Sequence, residues 1–98
     1  MKKTSFYSYM VKDRKKQAVL HHGYSDGTYY YYKDNGGVWQ VIHPLVGLSV
    51  TYGYTRKEAA AKAHVPELEN KVDRVIKERG AAMTKEFEKA IQELKQSA

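Results

Sequence analysis

Residues 28–43 of this 98-residue chain have the sequence TYYYYKDNGGVWQVIH, in which two runs of strand-forming residues flank a turn signal. Tyrosine, valine, isoleucine and tryptophan are enriched in β-strands. Asn35 and Gly36 tolerate positive φ at low steric cost, as a tight hairpin turn requires. This stretch therefore predicts an antiparallel hairpin.

The flanking segments extend the same pattern. Residues 4–12 and 17–22 are rich in aromatic and aliphatic residues, and the polar residues 13–16 between them predict a turn. After Pro44, residues 48–52 alternate between apolar and polar side chains, as a half-buried strand does. We therefore predict an N-terminal antiparallel β-meander of four or five strands.

The second half of the chain carries the signals of helices. Residues 55–58, Thr-Arg-Lys-Glu, match a capping box, in which the Thr side chain accepts from the third amide and the Glu side chain returns to the Thr amide. Pro66 disfavours helical geometry at Val65, so we expect a break there and a new helix from Pro66. Gly80 either ends that helix or lies within it, and an unbroken helix to residue 96 would span about 45 Å. The predicted fold class is therefore α+β.

Apolar side chains recur every three or four residues along this second helical segment. A small meander cannot cover a stripe of that length, and a second copy of the chain is the simplest partner. We therefore predict a homodimer or a higher oligomer formed through the C-terminal helices. The predicted interface residues are Val72, Ile76, Met83, Phe87 and Leu94.

Charge divides the chain at the same place. The formal net charge is +6, and residues 1–57 carry nine Lys or Arg against three acids while residues 58–98 carry eight of each. All nine tyrosines and the single tryptophan also lie in the first half. We interpret residues 1–98 as a single domain. In this domain we expect the basic, aromatic sheet (1–54) to bind an anion and the helical region (55–98) to form the oligomer.

Composition argues against several classes of protein. No window approaches the roughly 18 apolar residues of a transmembrane helix, and the basic start lacks the apolar region of a signal peptide. The absence of cysteine excludes disulfides, thiolate zinc sites and a cysteine nucleophile. The four histidines lack a metal-ligand spacing, and no catalytic motif occurs. We expect a cytoplasmic, non-enzymatic protein that uses no cofactor and contacts no membrane.

The run Tyr29–Tyr32 places two tyrosines on each face of its strand, because side chains alternate along a strand. One pair is expected to bury against the helices. The other pair, Tyr30 and Tyr32 beside Lys33, either stacks on the bases of a ligand or packs inside a two-sided sheet. The sequence leaves both interpretations open.

The predicted strand-to-helix junction at residues 52–57 is the strongest candidate binding site. Arg56 and Lys57 oppose the positive end of the helix dipole, which suits a bound phosphate or carboxylate with a tyrosine ring stacked beside it. The alternative is a plain capping box with two solvated cations. His43 is included because we expect it near Trp39 and one strand from this junction. The predicted ligand-binding residues are Tyr30, Tyr32, Trp39, His43, Tyr52, Tyr54, Thr55, Arg56 and Lys57.

The sequence GGVWQVIHP at residues 36–44, with GLSV at 47–50 and GYTRKEA at 53–59, resembles a pattern in small phage and prophage accessory proteins. The layout, an N-terminal antiparallel sheet and C-terminal helices, is similar to that of the Thoeris anti-defence sponge family. Members of that family interlock through their helices and sequester cyclised ADP-ribose signals without cleaving them, and some hold cyclic oligonucleotides. The resemblance implies a non-enzymatic protein of the host cytoplasm, with Arg for pyrophosphate and aromatic rings for adenine.

Two other classes of function fit the same sequence. One is a protein-binding inhibitor of a host defence nuclease, such as an anti-CRISPR protein. The other is a small DNA- or RNA-binding accessory protein, whose affinity would fall as salt rises. The neutral C-terminal helices lack the basic face of a recognition helix, so such binding would use Tyr30, Tyr32 and Lys33 of the sheet.

Overall fold

The computed structural model describes residues 1–97, in which five strands precede two helices. Each strand pairs antiparallel with the next, so their order in space is their order in sequence. The predicted α+β fold with an N-terminal meander is confirmed. The elements are β1 (Lys2–Lys12), β2 (Lys15–Ser25), β3 (Tyr30–Lys33), β4 (Trp39–Ile42), β5 (Ser49–Gly53), α1 (Arg56–Ala63) and α2 (Pro66–Gln96).

The β1–β2 hairpin has a tighter turn than the sequence predicts. Its turn consists of Asp13 and Arg14 alone, with φ of 53° and 65°. Positive φ at both positions matches the twist of paired strands, so Lys15 and Lys16 join β2 instead of lengthening the turn. The predicted four-residue turn is wrong because Arg14 adopts the left-handed conformation that Gly usually supplies.

Gly23 allows the β1–β2 hairpin to pass close to β3. Only Tyr24 and Ser25 of β2 pair with β3. A Cβ atom added at Gly23 would overlap the backbone oxygen of Tyr31. The close passage brings Phe6 of β1 against Tyr30, with the two rings stacked at a centroid distance of 4.6 Å.

The tyrosine run is covered on both faces of the sheet. Tyr29 and Tyr31 lie in one core cluster, and Tyr32 lies in a second cluster against which Tyr30 packs. The other buried members of the first cluster are Val41, Ala59 and Ala63, and those of the second are Phe6 and Ile42. The alternation of two tyrosines on each face is confirmed, and packing inside a two-sided sheet accounts for the whole run.

The helix signals are confirmed with one difference. The Thr55 hydroxyl accepts a hydrogen bond from the Glu58 amide at 3.1 Å, as predicted, but the Glu58 carboxylate accepts from the amide of Tyr54, at 3.3 Å, and not from that of Thr55. Val65 is extended, and the chain re-enters a helix at Pro66. From there α2 continues unbroken through Gly80.

Phe87 anchors α2 inside the chain. Its side chain is 4% exposed and packs against Tyr9, with the rings 6.1 Å apart. It also covers Gly47, where φ is +70° and an added Cβ would clash with the Phe87 ring. Because Phe87 is buried in its own chain, it is not available to the oligomer interface for which the sequence suggested it. Ile76, Met83 and Leu94 of the same stripe are half-buried.

Gly23 provides a test of the close passage between β2 and β3. We expect Gly23→Ala to lower the free energy of unfolding by about 3 kcal/mol, because the added methyl group forces two backbones apart. Gly36→Ala is the control, since a Cβ there meets only the Asp34 side chain. Urea unfolding monitored by circular dichroism measures both. Equal stability of the two variants would contradict the close passage.

Candidate functional site

Arg56 lies over two aromatic rings on the helix-facing side of the sheet. Its guanidinium carbon is 4.1 Å from the centre of the Tyr24 ring and 5.9 Å from that of Trp39. The close packing of α1 on β5 explains this position, because an added Cβ at Gly53 would meet the Ala59 backbone. The structure thus brings Arg56 and Trp39 together and adds Tyr24, which the sequence did not indicate.

Tyr52 and Tyr54 form a separate, exposed aromatic pair at the end of β5. Their side chains are 49% and 68% exposed, and their rings are nearly perpendicular, with centroids 6.3 Å apart. The ammonium group of Lys62 lies 5.2 Å from the centre of the Tyr52 ring. Lys57 is exposed on the first turn of α1. We call Tyr52, Tyr54, Lys57 and Lys62 the junction surface.

The first turn of α1 is capped by the protein's own side chains. Thr55 caps the Glu58 amide, and the Glu58 carboxylate accepts from Tyr54 and pairs with Lys62 at 3.2 Å. The negative charge expected at this helix end is therefore supplied by Glu58. An incoming anion would instead meet the exposed side chain of Lys57, and it would compete with Glu58 for Lys62.

Three other candidate residues lie away from this junction. Tyr30 and Tyr32 pack with Phe6 on the opposite side of the sheet, and Tyr32 is only 9% exposed. His43 lies at the end of β4, where its Nδ1 accepts from the Leu45 amide at 3.2 Å. Burial lowers the pKa of His43, which keeps this side chain neutral at neutral pH. These three residues therefore do not join the junction surface.

Sequence reasoning missed a polar network centred on Asp26. Its Oδ2 accepts from the Tyr31 hydroxyl at 2.6 Å and from Nε2 of His64 at 2.7 Å. Its Oδ1 accepts from the amides of Thr28 and Tyr29. The Asp26-Gly27-Thr28 sequence signals a local turn, but nothing local indicates a partner 38 residues away.

The network favours a negative Asp26 and a positive His64. Burial alone would raise the pKa of Asp26, but the hydrogen bonds it accepts, the strongest from His64, hold the pKa well below its usual range. The hydrogen bond to Asp26 raises the pKa of His64, against an opposing effect of burial. His64 Nδ1 also lies 3.4 Å from a Glu69 oxygen, so the imidazolium sits between two carboxylates.

A buried Ser–His pair lies on the inner side of the β1–β2 hairpin. The Ser8 hydroxyl is 2.6 Å from Nε2 of His21, whose ring stacks on Tyr32 at 3.7 Å. Burial lowers the pKa of His21, with His22 and Lys12 adding to the effect. Ser8 is 1% exposed, so its hydroxyl cannot reach a substrate. The hydrogen bond satisfies the buried Ser8 hydroxyl and the half-buried His21 ring, and the pair is not a nucleophile and base.

An apolar cavity of about 220 Å³ lies between α2 and the segment that leads into β5. Its polar lining residues include His43 and Lys71. Val75, on the α2 side, is 36% exposed. Its apolar lining includes Val46, Leu48, Val50, Leu68, Val72 and Val75.

Comparison with known proteins finds no family model, curated protein or solved structure that matches this chain. Within residues 1–97 no group of three His, Asp or Glu side chains is arranged to hold a metal ion. Neither helix of this part of the chain is long and apolar enough to cross a membrane. The functional interpretation therefore depends on the geometry of the surfaces described above.

The Asp26–His64 pair predicts a pH dependence of stability. Because the pKa of His64 is raised in the folded state, its contribution is complete below the unfolded value of about 6.5 and is lost as pH rises through the folded value. The expected contribution of about 1 kcal/mol corresponds to about 4–8 °C in the melting temperature. The melting temperature of the wild type should therefore fall by this amount between pH 6 and pH 8.5, and this part of the fall should be absent in His64→Gln.

Melting curves of the wild type, His64→Gln and the control His22→Gln provide the measurement. His22 is exposed and bonds only to Ser5. His21 and His43, whose pKa values are lowered, change stability in the opposite direction, and equally in the wild type and His64→Gln. In His22→Gln the His21 contribution is smaller, because the charge of His22 helps to lower the pKa of His21. Parallel pH profiles for the wild type and His64→Gln would contradict the charged pair.

Proposed function

We propose that this chain is a non-enzymatic protein that binds and sequesters a nucleotide-type ligand on the junction surface. The observation that carries the proposal is the exposed, perpendicular pair Tyr52 and Tyr54 beside Lys57 and Lys62. Exposed aromatic rings offer stacking faces to a nucleobase, and adjacent cations suit its phosphates.

In this proposal the two rings have different tasks. The Lys62 ammonium lies over the Tyr52 ring, so Tyr54, the more exposed of the two, offers the freer stacking face. A base stacked on Tyr54 would lie parallel to that ring and nearly perpendicular to the Tyr52 ring. Stacking of one base on an aromatic side chain contributes about 1–3 kcal/mol in nucleic-acid binders. Lys57 and Lys62 are the proposed phosphate contacts.

The proposed cellular role is the one that the resemblance to phage anti-defence sponges implies. A protein in the host cytoplasm that holds a cyclised ADP-ribose or a cyclic oligonucleotide lowers the free concentration of that immune signal without chemistry. Support comes from the surplus of positive charge in the first half of the chain and from the exposure of Tyr52 and Tyr54. Inhibition of a host defence nuclease is the alternative, and it requires no nucleotide site.

We propose that the sequestering form is a homodimer, since pockets that hold small ligands usually bury most of the ligand's surface and the junction surface is open. Leu68, Val72 and Val75 of α2 line the apolar cavity, and a second copy can fill it. Antiparallel packing of two α2 helices around Val75 sets Lys71 of each copy near Glu78 of the other. This opposite-charge pairing favours a two-fold arrangement.

Calorimetric titration with cyclic ADP-ribose isomers, cyclic di- and trinucleotides, ADP-ribose and ATP tests the ligand. We expect one ligand to bind and to be recovered intact. Tyr54→Ala should raise the Kd of that ligand about tenfold or more, because the stacking contact is lost. Tyr54→Phe is the matched control and should bind like the wild type because its ring still stacks. Undiminished binding by Tyr54→Ala, or a consumed ligand, would contradict the proposal. If none of these ligands binds and a defence nuclease co-migrates with the protein, the alternative is favoured.

Charge reversal tests the homodimer by analytical ultracentrifugation. We expect a wild-type dimer at tens of micromolar, and weakened association in Lys71→Glu and in Glu78→Lys, because each single change sets like charges together. The double variant should associate again. Lys89→Glu, an exposed change outside the cavity, is the control. A wild type that stays monomeric, or a double variant no better than the single ones, would overturn this arrangement.

A further inference from the structure

The end of the β1–β2 hairpin projects beyond the rest of the sheet. The last backbone hydrogen bond from β1 to the rest of the protein is at Tyr9, whose amide donates to Gly47 at 2.7 Å and whose ring meets Phe87. One residue further, the Tyr32 hydroxyl donates to the Met10 sulfur at 3.8 Å. Beyond Tyr9, each of residues 10–16 is exposed. We call residues 10–16 the hairpin tip.

Positive charge is concentrated on the hairpin tip. Lys12 and Lys15 are direct cross-strand partners, and Arg14 and Lys16 are next to them. Like charges placed opposite each other destabilise a pair of strands. Asp13 is the single acid among these residues, and none of the ion pairs found within residues 1–97 includes a cation of the tip. Lys16 does contact an aromatic ring, since its ammonium group lies 4.6 Å from the centre of the Tyr9 ring. The free protein therefore carries an electrostatic repulsion that a bound polyanion would relieve.

We propose that the hairpin tip binds the phosphate backbone of a DNA duplex, as a two-stranded ribbon placed in the major groove. That groove is about 12 Å wide in B-form DNA and admits a two-stranded ribbon, whose strands lie about 4.8 Å apart. Cations on both strands then face the phosphates on both walls of the groove. The two-residue turn fixes the shape of the ribbon before binding, which limits the entropy lost on association.

Duplex phosphate suits the hairpin tip better than a membrane surface does. The apolar side chains among residues 10–16 are Met10 and Val11, at 37% and 66% exposure. Membrane insertion scales with buried apolar area, and two side chains supply little of it. Four cations that contact phosphates predict that log Kd changes with log salt with a slope of about 3.6. This binding is independent of the junction surface, because the tip joins β1 to β2 and the junction joins β5 to α1.

Fluorescence anisotropy with a labelled 20-base-pair DNA duplex, in 50 to 200 mM KCl, tests the proposal. We expect the wild type to lose about 100-fold in affinity over this range. The combined variant Lys12→Gln, Arg14→Asn, Lys15→Gln, Lys16→Gln should bind about 30-fold more weakly at 50 mM and lose most of the salt dependence. Asn is used at residue 14 because it tolerates the left-handed backbone there.

The matched control removes four exposed cations from α2 in the variant Arg74→Gln, Lys77→Gln, Lys85→Gln, Lys89→Gln. This control should lose less than about threefold in affinity for the duplex at 50 mM KCl. Melting curves show whether all variants fold. Equal losses in the two quadruple variants, no binding by the wild type, or tighter binding to phosphatidylserine vesicles would overturn the proposal. Tyr54→Ala should leave duplex binding unchanged, so failure here is distinguishable from failure of the nucleotide site.

Discussion

The relative placement of sheet and helices depends on the hydrogen bonds that the Asp26 carboxylate accepts. One oxygen holds the loop between β2 and β3, and the other joins Tyr31 of the sheet to His64 at the α1–α2 junction. Tyr31 is fully buried, so its hydroxyl requires a partner inside the protein. By fixing His64, the same carboxylate fixes the point at which α2 departs from α1.

Most of the architecture follows from local signals, and most of the site does not. Strand alternation, the capping residue Thr55 and the break before Pro66 act over a few residues, so the sequence predicts the meander and both helix starts. The turn was predicted at residues 13–16, but its restriction to Asp13 and Arg14 was not, because Arg does not favour positive φ as Gly does. The pairing of Arg56 with Tyr24, like that of His64 with Asp26, depends on how distant elements pack.

The same tertiary packing divides the candidate residues into those that build the sheet and those that face outward. Tyr30 and Tyr32 were drawn inward because the β1–β2 hairpin covers their face with Phe6. Tyr52, on the edge strand β5, and Tyr54, between β5 and α1, stay exposed. The meander sets β1 and β5 at its two edges, so the hairpin tip and the junction surface belong to different edges. Each surface can therefore change its chemistry without disturbing the other.

The contact between Tyr9 and Phe87 has a consequence for the order in which the chain is made. Each strand pairs with its neighbour in sequence, so the sheet can form progressively as the polypeptide leaves the ribosome. The face of β1 at Tyr9, however, receives its cover from a residue 78 positions later. Until Phe87 has emerged, Tyr9 and Ala18 of the nascent hairpin remain open to water and to other chains. Synthesis of α2 is thus the step that protects the first strand.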